Sequence, residues 1–128
     1  MKFNSLIPEL SVSNISMSKE FYLSLGFEVK YERVEDKFCF LQLENNQIMI
    51  QENNGVWATE DVSYPYGRGI NISMAVSDVS SMYDRLKKKG LKLFLDLEVH
   101  SYRVDDIEYK DMEFLIQDPD GYLLRFNN

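Results

Sequence analysis

Cys39 and His100 are the only cysteine and the only histidine of this chain, and their side chains have the most reactive chemistry near neutral pH. Cys39 alternates with Phe38 and Phe40 in an apolar segment, which favours a core position over a nucleophilic role. His100 has no predicted carboxylate partner. The sequence therefore shows no nucleophile with an activating base. A single cysteine also excludes an internal disulfide and a cysteine-based metal cluster.

The charge and composition of the chain restrict its partners. Twenty-one acidic against 14 basic residues give a net charge of −7, which disfavours nucleic acid because phosphate binding needs a basic face. A negative field attracts cationic small molecules, although the same charge also serves solubility alone, and both explanations stay open. The 45% apolar fraction predicts a globular core. No apolar run approaches the ~20 residues of a membrane span and no signal segment is recognisable, so we expect a cytoplasmic protein without membrane partners.

An internal repeat defines the elements that must position a binding site. Its four matched pairs of segments are Val12-Ser13-Asn14-Ile15 with Val76-Ser77-Asp78-Val79, Gly26-Phe27 with Gly90-Leu91, Phe40-Leu41 with Phe114-Leu115, and Ile48-Met49-Ile50 with Leu123-Leu124. The first two pairs recur after 64 positions, and the segment at Phe40 recurs after 74. A fixed period indicates one supersecondary unit used twice. Two half-sheets that cannot close alone share a core, and we expect a cleft between them.

Each copy predicts the order β-α-β-β-β. Period-two alternation predicts a first strand over Leu6–Val12 and again over Ile70–Val76, with Leu6 and Ile70 on the core face. A helix follows in each copy, capped by Asn14 or Ser16 in the first and by Asp78 in the second. The remaining strands are predicted at Glu28–Val34, Lys37–Leu43 and Gln47–Glu52, and at Lys92–Leu97, Met112–Gln117 and Tyr122–Phe126.

These elements predict a single α+β domain over residues 1–128. Module one spans residues 3–53, a linker spans 54–68, and module two spans 69–128. The ten extra residues of the second copy are expected to form a loop at His100–Tyr109, on the rim of the cleft.

Several of these segments together resemble the vicinal oxygen chelate superfamily, which includes glyoxalase, extradiol dioxygenases, fosfomycin-resistance enzymes and bleomycin-binding resistance proteins. The resemblance is carried by Val12-Ser13-Asn14-Ile15 with Phe21-Tyr22 and Leu25-Gly26-Phe27, and by Asp118-Pro119-Asp120-Gly121-Tyr122-Leu123-Leu124. Tyr64–Asn71 and Tyr102–Val104 look most like the bleomycin-resistance branch. The resemblance implies the glyoxalase/bleomycin-resistance fold, with two βαβββ modules forming a curved mixed sheet around a central cleft. It also implies a homodimer whose partner helps to shape the grooves.

Enzymes of this superfamily hold a divalent metal with His, Glu or Gln from the first and last strand of each module. Motif matching places these positions at Ile7, Gln51, Asn71 and Arg125. Isoleucine has no lone pair and arginine is a permanent cation, so the set cannot hold a divalent ion, and we expect neither metal nor cofactor. Glu9 and Glu52 lie near these positions and leave open a displaced metal site.

An aromatic cleft remains as the candidate site. On the third strand of module one, Cys39, Leu41 and Leu43 are expected to face the helix, while Phe38, Phe40 and Gln42 face the cleft. Met112, Phe114 and Ile116 are their expected counterparts in module two. The candidate ligand-binding residues are Glu9, Phe38, Phe40, Met49, Trp57, Tyr66, Asn71, Tyr102, Phe114 and Arg125. Ordinary packing is the alternative for each aromatic residue, and a dimer seam is a further alternative for Phe38, Phe40 and Phe114.

The sequence favours a metal-free binding protein of the bleomycin-resistance type, which sequesters a planar, cationic small molecule. Aromatic walls stack on flat ligands and attract cations, and acidic residues between Asp96 and Glu113 supply negative charge. A solvated hairpin is the alternative explanation of that acidic stretch. The alternative functions are a glyoxalase-like lyase or dioxygenase with a displaced metal, and a scaffold that receives a peptide. The identity of the ligand, and pairing of the modules within one chain or by exchange, stay open.

Overall fold

A computed structural model describes all 128 residues of the chain, in two compact units. Unit 1 contains Met1–Tyr66 together with Asp118–Gly121, and unit 2 contains Gly67–Gln117 together with Tyr122–Asn128. The predicted α+β class and the β-α-β-β-β order of both modules are confirmed. In chain order the elements are β1 (Glu9–Val12), α1 (Ile15–Leu25), β2 (Glu28–Arg33), a 3-10 turn (Val34–Asp36), β3 (Phe38–Leu43), β4 (Asn46–Glu52), β5 (Asn71–Ala75), α2 (Val79–Lys88), β6 (Leu95–Val104), β7 (Ile107–Gln117) and β8 (Leu123–Asn127).

Unit 1 is a four-stranded mixed sheet with α1 on one face. Its strand order is β1-β4-β3-β2, with β1 parallel to β4 and the other pairs antiparallel. The Asn14 side chain accepts a hydrogen bond from the backbone N–H of Met17 and caps α1, and Gly26 ends the helix at φ 113°. The α1 face of the sheet is fully apolar at its centre because strand alternation brings together Leu10, Val12, Cys39, Leu41, Ile48 and Ile50, all of them buried.

Unit 2 repeats this arrangement with α2. Its strand order is β5-β8-β7-β6, and β5 is parallel to β8. The Asp78 carboxylate accepts a hydrogen bond from the backbone N–H of Ser81 and caps α2, which lowers the pKa of Asp78. The buried face of α2 and the sheet face beneath it form the core of the unit, made of Val79, Met82, Leu86, Met74, Phe114, Ile116, Leu124 and Phe126.

The region His100–Tyr109, expected to be a loop, is instead the far end of a β-hairpin. β6 and β7 pair from Leu95 to Val104, and Asp105 and Asp106 form the connection, with Asp105 at φ 55°. Two-residue connections of this kind need a left-handed backbone, which aspartate tolerates. The loop prediction was wrong because the acidic residues of the segment concealed its period-two alternation.

The first strand of each module begins later than predicted. β1 starts at Glu9 and β5 at Asn71, so Leu6 and Ile70 precede the strands. Their side chains are 80% and 65% exposed, and the prediction that both face the core was wrong. The alternation of apolar and polar residues extends beyond the residues that have a neighbouring strand to pair with. The alternation alone therefore placed the start of each strand too early.

The sequence motifs that carry the family resemblance bind one another within unit 1. Ser13 donates its backbone N–H to a carboxylate oxygen of Asp120 at 2.9 Å, and the Tyr22 hydroxyl donates to Asp118 at 2.7 Å. Asp118 and Asp120 are both buried. A buried carboxylate is tolerated when donors satisfy it, so these motif residues stabilise the fold.

Candidate ligand-binding site

A depression lined by five polar residues, one leucine and one tryptophan lies on unit 1. Its volume is about 130 Å³. Parallel pairing of β1 with β4 sets Ser11 opposite Gln51, and the segment after β4 brings Trp57 to the same place. The Trp57 side chain is 77% exposed, so most of its indole surface can contact a ligand. The lining residues are Glu9, Leu10, Ser11, Gln51, Glu52, Asn54 and Trp57.

The two glutamates of this depression differ in their surroundings. Glu52 accepts hydrogen bonds from the Lys37 ammonium at 2.8 Å and from the backbone N–H of Ile15 at 3.2 Å. The Lys37 contact, followed by the Ile15 contact, lowers the pKa of Glu52. Glu52 therefore caps the start of α1 and pairs with a cation of the same chain. Glu9 is exposed, and its carboxylate is the group of this depression that is open to a cationic ligand.

Phe38 and Phe40 lie on the sheet face opposite α1, but they are covered rather than open. Their side chains are 4% and 1% exposed. The Phe40 ring stacks on Tyr31 at 5.1 Å between ring centroids, and the Arg33 guanidinium lies 4.0 Å from the centroid of Phe38. The prediction that both rings form the wall of an open cleft was wrong. Met49 lies on this same face, half-buried, between Glu9 of β1 and Phe40 of β3 in the strand register.

The predicted orientation of Phe114 was also wrong. Phe114 is fully buried on the α2 face of unit 2, 5.6 Å from the Tyr83 ring and 5.5 Å from the Phe126 ring. Its counterpart in unit 1 is Cys39, because the closing turn of module two is longer. Six residues separate the paired core residues Leu41 and Ile48, whereas seven separate Ile116 and Leu124. A register slip of one residue moves every side chain to the other face of a sheet, so Met112 and Ile116 turn to the helix as well.

Asn71 and Arg125 share the face of unit 2 that is opposite α2. The Arg125 Nε atom is buried, has no hydrogen-bond partner and lies 3.8 Å from Glu113 Oε2. His100 Nε2 lies 3.0 Å from Glu98 Oε2 and 3.5 Å from Glu113 Oε1. The expectation that His100 has no carboxylate partner was therefore wrong. The pairing of Glu98 with Glu113 across β6 and β7 brings these groups together, and it could not be anticipated while this region was interpreted as a loop.

Tyr66 and Tyr102 occupy different surroundings. In unit 1 the Tyr66 backbone N–H donates to the Asp120 carbonyl at 2.8 Å, and partial burial followed by the Asp120 charge raises the pKa of the Tyr66 phenol. In unit 2 the Tyr102 ring stacks on Tyr109 at 5.6 Å and stays 52% exposed.

The side chains at the superfamily's metal positions do not suit a divalent ion. In the strand pairing, Leu10 and Ile50 of unit 1 correspond to Met74 and Phe126 of unit 2. Arg125 comes directly before Phe126, so its counterpart comes directly before Ile50. That counterpart is Met49, and the predicted assignment to Gln51 was wrong. The matched positions are Ile7 and Met49 in unit 1 and Asn71 and Arg125 in unit 2. Unit 1 supplies one weak thioether there, unit 2 supplies one amide oxygen beside a permanent cation, and neither pair meets what Zn²⁺ or Fe²⁺ needs. No group of three or more His, Cys, Asp or Glu side chains in the structure could hold a metal ion.

Cys39 is expected to resist thiol reagents in the folded protein. Its side chain is 1% exposed, and burial, followed by the hydrogen bond to Glu32, raises the pKa of the thiol to about 11. Because the thiolate is the nucleophile and the side chain is buried, labelling should be slow in the native protein at pH 7 and should become rapid only after unfolding. Disulfide-exchange kinetics with and without denaturant test this, and rapid native labelling at pH 7 would contradict the assignment to the core.

Comparisons with known proteins agree with this architecture. The family model of the Glyoxalase/Bleomycin resistance protein/Dioxygenase superfamily matches residues 3–126. A superfamily member from Vibrio splendidus 12B01 is 34% identical over 93% of this chain and 92% of its own, with a TM-score of 0.44. A bleomycin-binding protein complexed with bleomycin is 18% identical, with a TM-score of 0.67 over 98% of both chains. TioX from Micromonospora sp. ML1 is 14% identical, with a TM-score of 0.76 over 98% of both chains.

No match is found among curated proteins. Neither α1 nor α2 has the length and apolar character that a bilayer-crossing helix needs. The similarity to the bleomycin-binding protein and to TioX confirms the fold that the sequence motifs predicted.

Proposed function

Because the chain belongs to the glyoxalase/bleomycin resistance protein/dioxygenase superfamily, we propose that it is a metal-free binding protein that sequesters a planar, cationic small molecule. The observation that carries the proposal is the donor set at the superfamily's metal positions. Ile7, Met49 and Arg125 cannot polarise a substrate as a bound metal does, and Asn71 alone is one weak ligand. A protein of this fold without those ligands keeps the ability to bind but loses the metal-dependent chemistry.

The depression on unit 1 supports a ligand that is both flat and positively charged. An exposed indole offers a π face to planar rings and to cations. The Glu9 carboxylate lines the same depression and can pair with an ammonium or guanidinium group. The net charge of −7 attracts such a ligand from solution.

The size of this depression supports a contribution from a second surface. A volume of about 130 Å³ is less than the roughly 300–1,000 Å³ typical of small-molecule sites, so it accommodates one ring or one charged group. We propose that a second copy of the chain completes the site in a homodimer. Light scattering should then give twice the chain mass of 15.1 kDa, and a monomer that binds ligand with full affinity would contradict this part.

The bleomycin-binding neighbour supplies the first ligand to test. Calorimetric titration with metal-free bleomycin is expected to give saturable binding with a dissociation constant in the micromolar range or below. Absence of heat at high micromolar bleomycin would exclude this drug, and flat dications of other classes would then be titrated. As part of the same proposal, the protein acts in the cytoplasm and confers resistance by lowering the free drug concentration.

A further inference from the structure

The first residues of the chain cover the aromatic face of unit 1. The Gln47 side chain, 5% exposed, accepts a hydrogen bond from the Asn4 backbone N–H at 2.7 Å and donates one to the Lys2 carbonyl at 2.7 Å. The Asn4 amide also donates to the Asn45 carbonyl at 2.7 Å. Residues 2–4, here called the N-terminal strap, are therefore held by both the amide oxygen and the amide nitrogen of the buried Gln47 side chain.

The strap sets Phe3 against two rings of the sheet. Tyr31 and Phe40 stack with an interplanar angle of 14°, and Phe3 meets Phe40 edge-on at 5.4 Å and 87°, and Tyr31 at 6.5 Å and 84°. Edge-to-face contact is a favoured arrangement of an aromatic ring on another ring. A flat aromatic group that bound against Tyr31 and Phe40 would occupy the position that Phe3 holds.

The attachment of the strap is shallow. Phe3 stays 53% exposed, and Met1 and Leu6 on either side of the strap are 65% and 80% exposed. Three hydrogen bonds and one half-buried ring oppose the conformational entropy of the ordered backbone, and these contributions are of similar size. Residues 2–4 take part in no strand pairing, so opening of the strap would break none of the hydrogen bonds between strands.

We propose that Tyr31 and Phe40 form an aromatic subsite that Phe3 occupies, and that an aromatic ring of the ligand displaces Phe3. This inference rests on the proposed function in one respect, namely that the ligand carries a flat ring. Phe3 then competes with the ligand. The apparent affinity of the protein for the ligand is the affinity of the open form multiplied by the fraction of molecules in which the strap is open.

Phe3→Ala is the variant that tests the proposal, with Leu6→Ala as its matched control in the same segment. Phe3→Ala is expected to bind metal-free bleomycin about three- to tenfold more tightly than the parent protein, because the closed state loses its ring contact. Leu6→Ala is expected to stay within about twofold of the parent. Phe3→Trp keeps a ring over Tyr31 and Phe40 and should bind no more tightly than the parent. Equal or weaker binding by Phe3→Ala would overturn the subsite.

A probe that does not depend on bleomycin separates this proposal from the proposed function. In the absence of drug, 1-anilinonaphthalene-8-sulfonate should fluoresce more strongly with Phe3→Ala than with Leu6→Ala, while both variants keep a cooperative unfolding transition. If bleomycin fails to bind but the probe responds in this way, the proposal of an aromatic subsite is supported and the proposal that bleomycin is the ligand is excluded. If bleomycin binds and neither the probe nor the drug distinguishes the two variants, the subsite falls and the proposed function stands.

Discussion

Trp57→Ala is expected to weaken the binding of metal-free bleomycin by at least about tenfold, equivalent to about 1.4 kcal/mol. Trp57 lines the depression beside Glu9, and its indole is largely exposed in the free protein. Stacking between a ligand ring and this indole adds about 0.5–1.5 kcal/mol beyond the area that it buries. Calorimetry on the variant and its parent measures the difference directly.

The control for this experiment is Val56→Ala, which changes the neighbouring exposed side chain of the same segment. Both variants should unfold at the denaturant concentration of the parent, because neither side chain is buried. Unchanged bleomycin affinity in Trp57→Ala would show that the depression on unit 1 does not contact the ligand, and the site would have to be sought elsewhere on the sheets.

Gly121→Ala is expected to destabilise the fold by roughly 3 kcal/mol. Gly121 has φ +95°, which costs an alanine about 1–2 kcal/mol, and an added Cβ would lie 2.7 Å from Pro65 Cα and Cβ. Relief of such an overlap adds about 1–3 kcal/mol. The effect is large because the turn also carries Asp118 and Asp120, whose carboxylates accept from Tyr22 and Ser13.

Gly69→Ala is the matched control for the turn. Gly69 has φ +83°, but an added Cβ would meet nothing within 4 Å, so this variant shows the backbone cost alone, about 1–2 kcal/mol. Urea unfolding curves give both values. If Gly121→Ala loses no more stability than Gly69→Ala, the close approach of Pro65 to the turn is not a constraint on the fold.

Local sequence signals were sufficient to predict the elements of each module. Asn14 and Asp78 cap the two helices as their residue types indicate, and Gly26 ends the first. Alternation identified the core face of β3 in unit 1 correctly, since Cys39 and Leu41 are buried on the α1 face. These features depend on contacts between residues that are near in sequence, or on period-two patterning, and a single sequence contains that information.

The failures involve register and long-range contacts. One extra residue in the closing turn of module two reversed the predicted orientation of Phe114, because matched sequence offsets do not reveal how many residues a turn takes. The β6–β7 hairpin had a signal that could have found it: Tyr102 and Val104 alternate with polar residues, and Asp105-Asp106 follows as turn chemistry. The contact of Phe3 with Phe40 had no local signal, since Phe3 precedes the first predicted strand and is 37 positions from Phe40 in the sequence.

The superfamily's ligand positions were located by motif, and the structure refines one of them. The strand pairing shows that the counterpart of Arg125 is Met49 and not Gln51. Of the two oxygen donors in the predicted set, Gln51 and Asn71, only Asn71 therefore lies at a matched position. The Gln51 amide instead donates to the Asp36 carbonyl at 3.2 Å. The matched positions therefore hold one oxygen donor fewer than the sequence indicated.

Metal analysis of the 128-residue protein, purified without chelator and then titrated with metal-free bleomycin, separates metal-free binding from metal-dependent chemistry. We expect far less than one equivalent of Mn, Fe, Ni, Cu or Zn per chain, and an affinity for bleomycin that treatment with chelator does not change. One equivalent of a transition metal that survives dialysis, with bleomycin binding that disappears when the metal is removed, would overturn the proposal of metal-free binding. Turnover that depends on that metal would favour a metal-dependent enzyme of the superfamily.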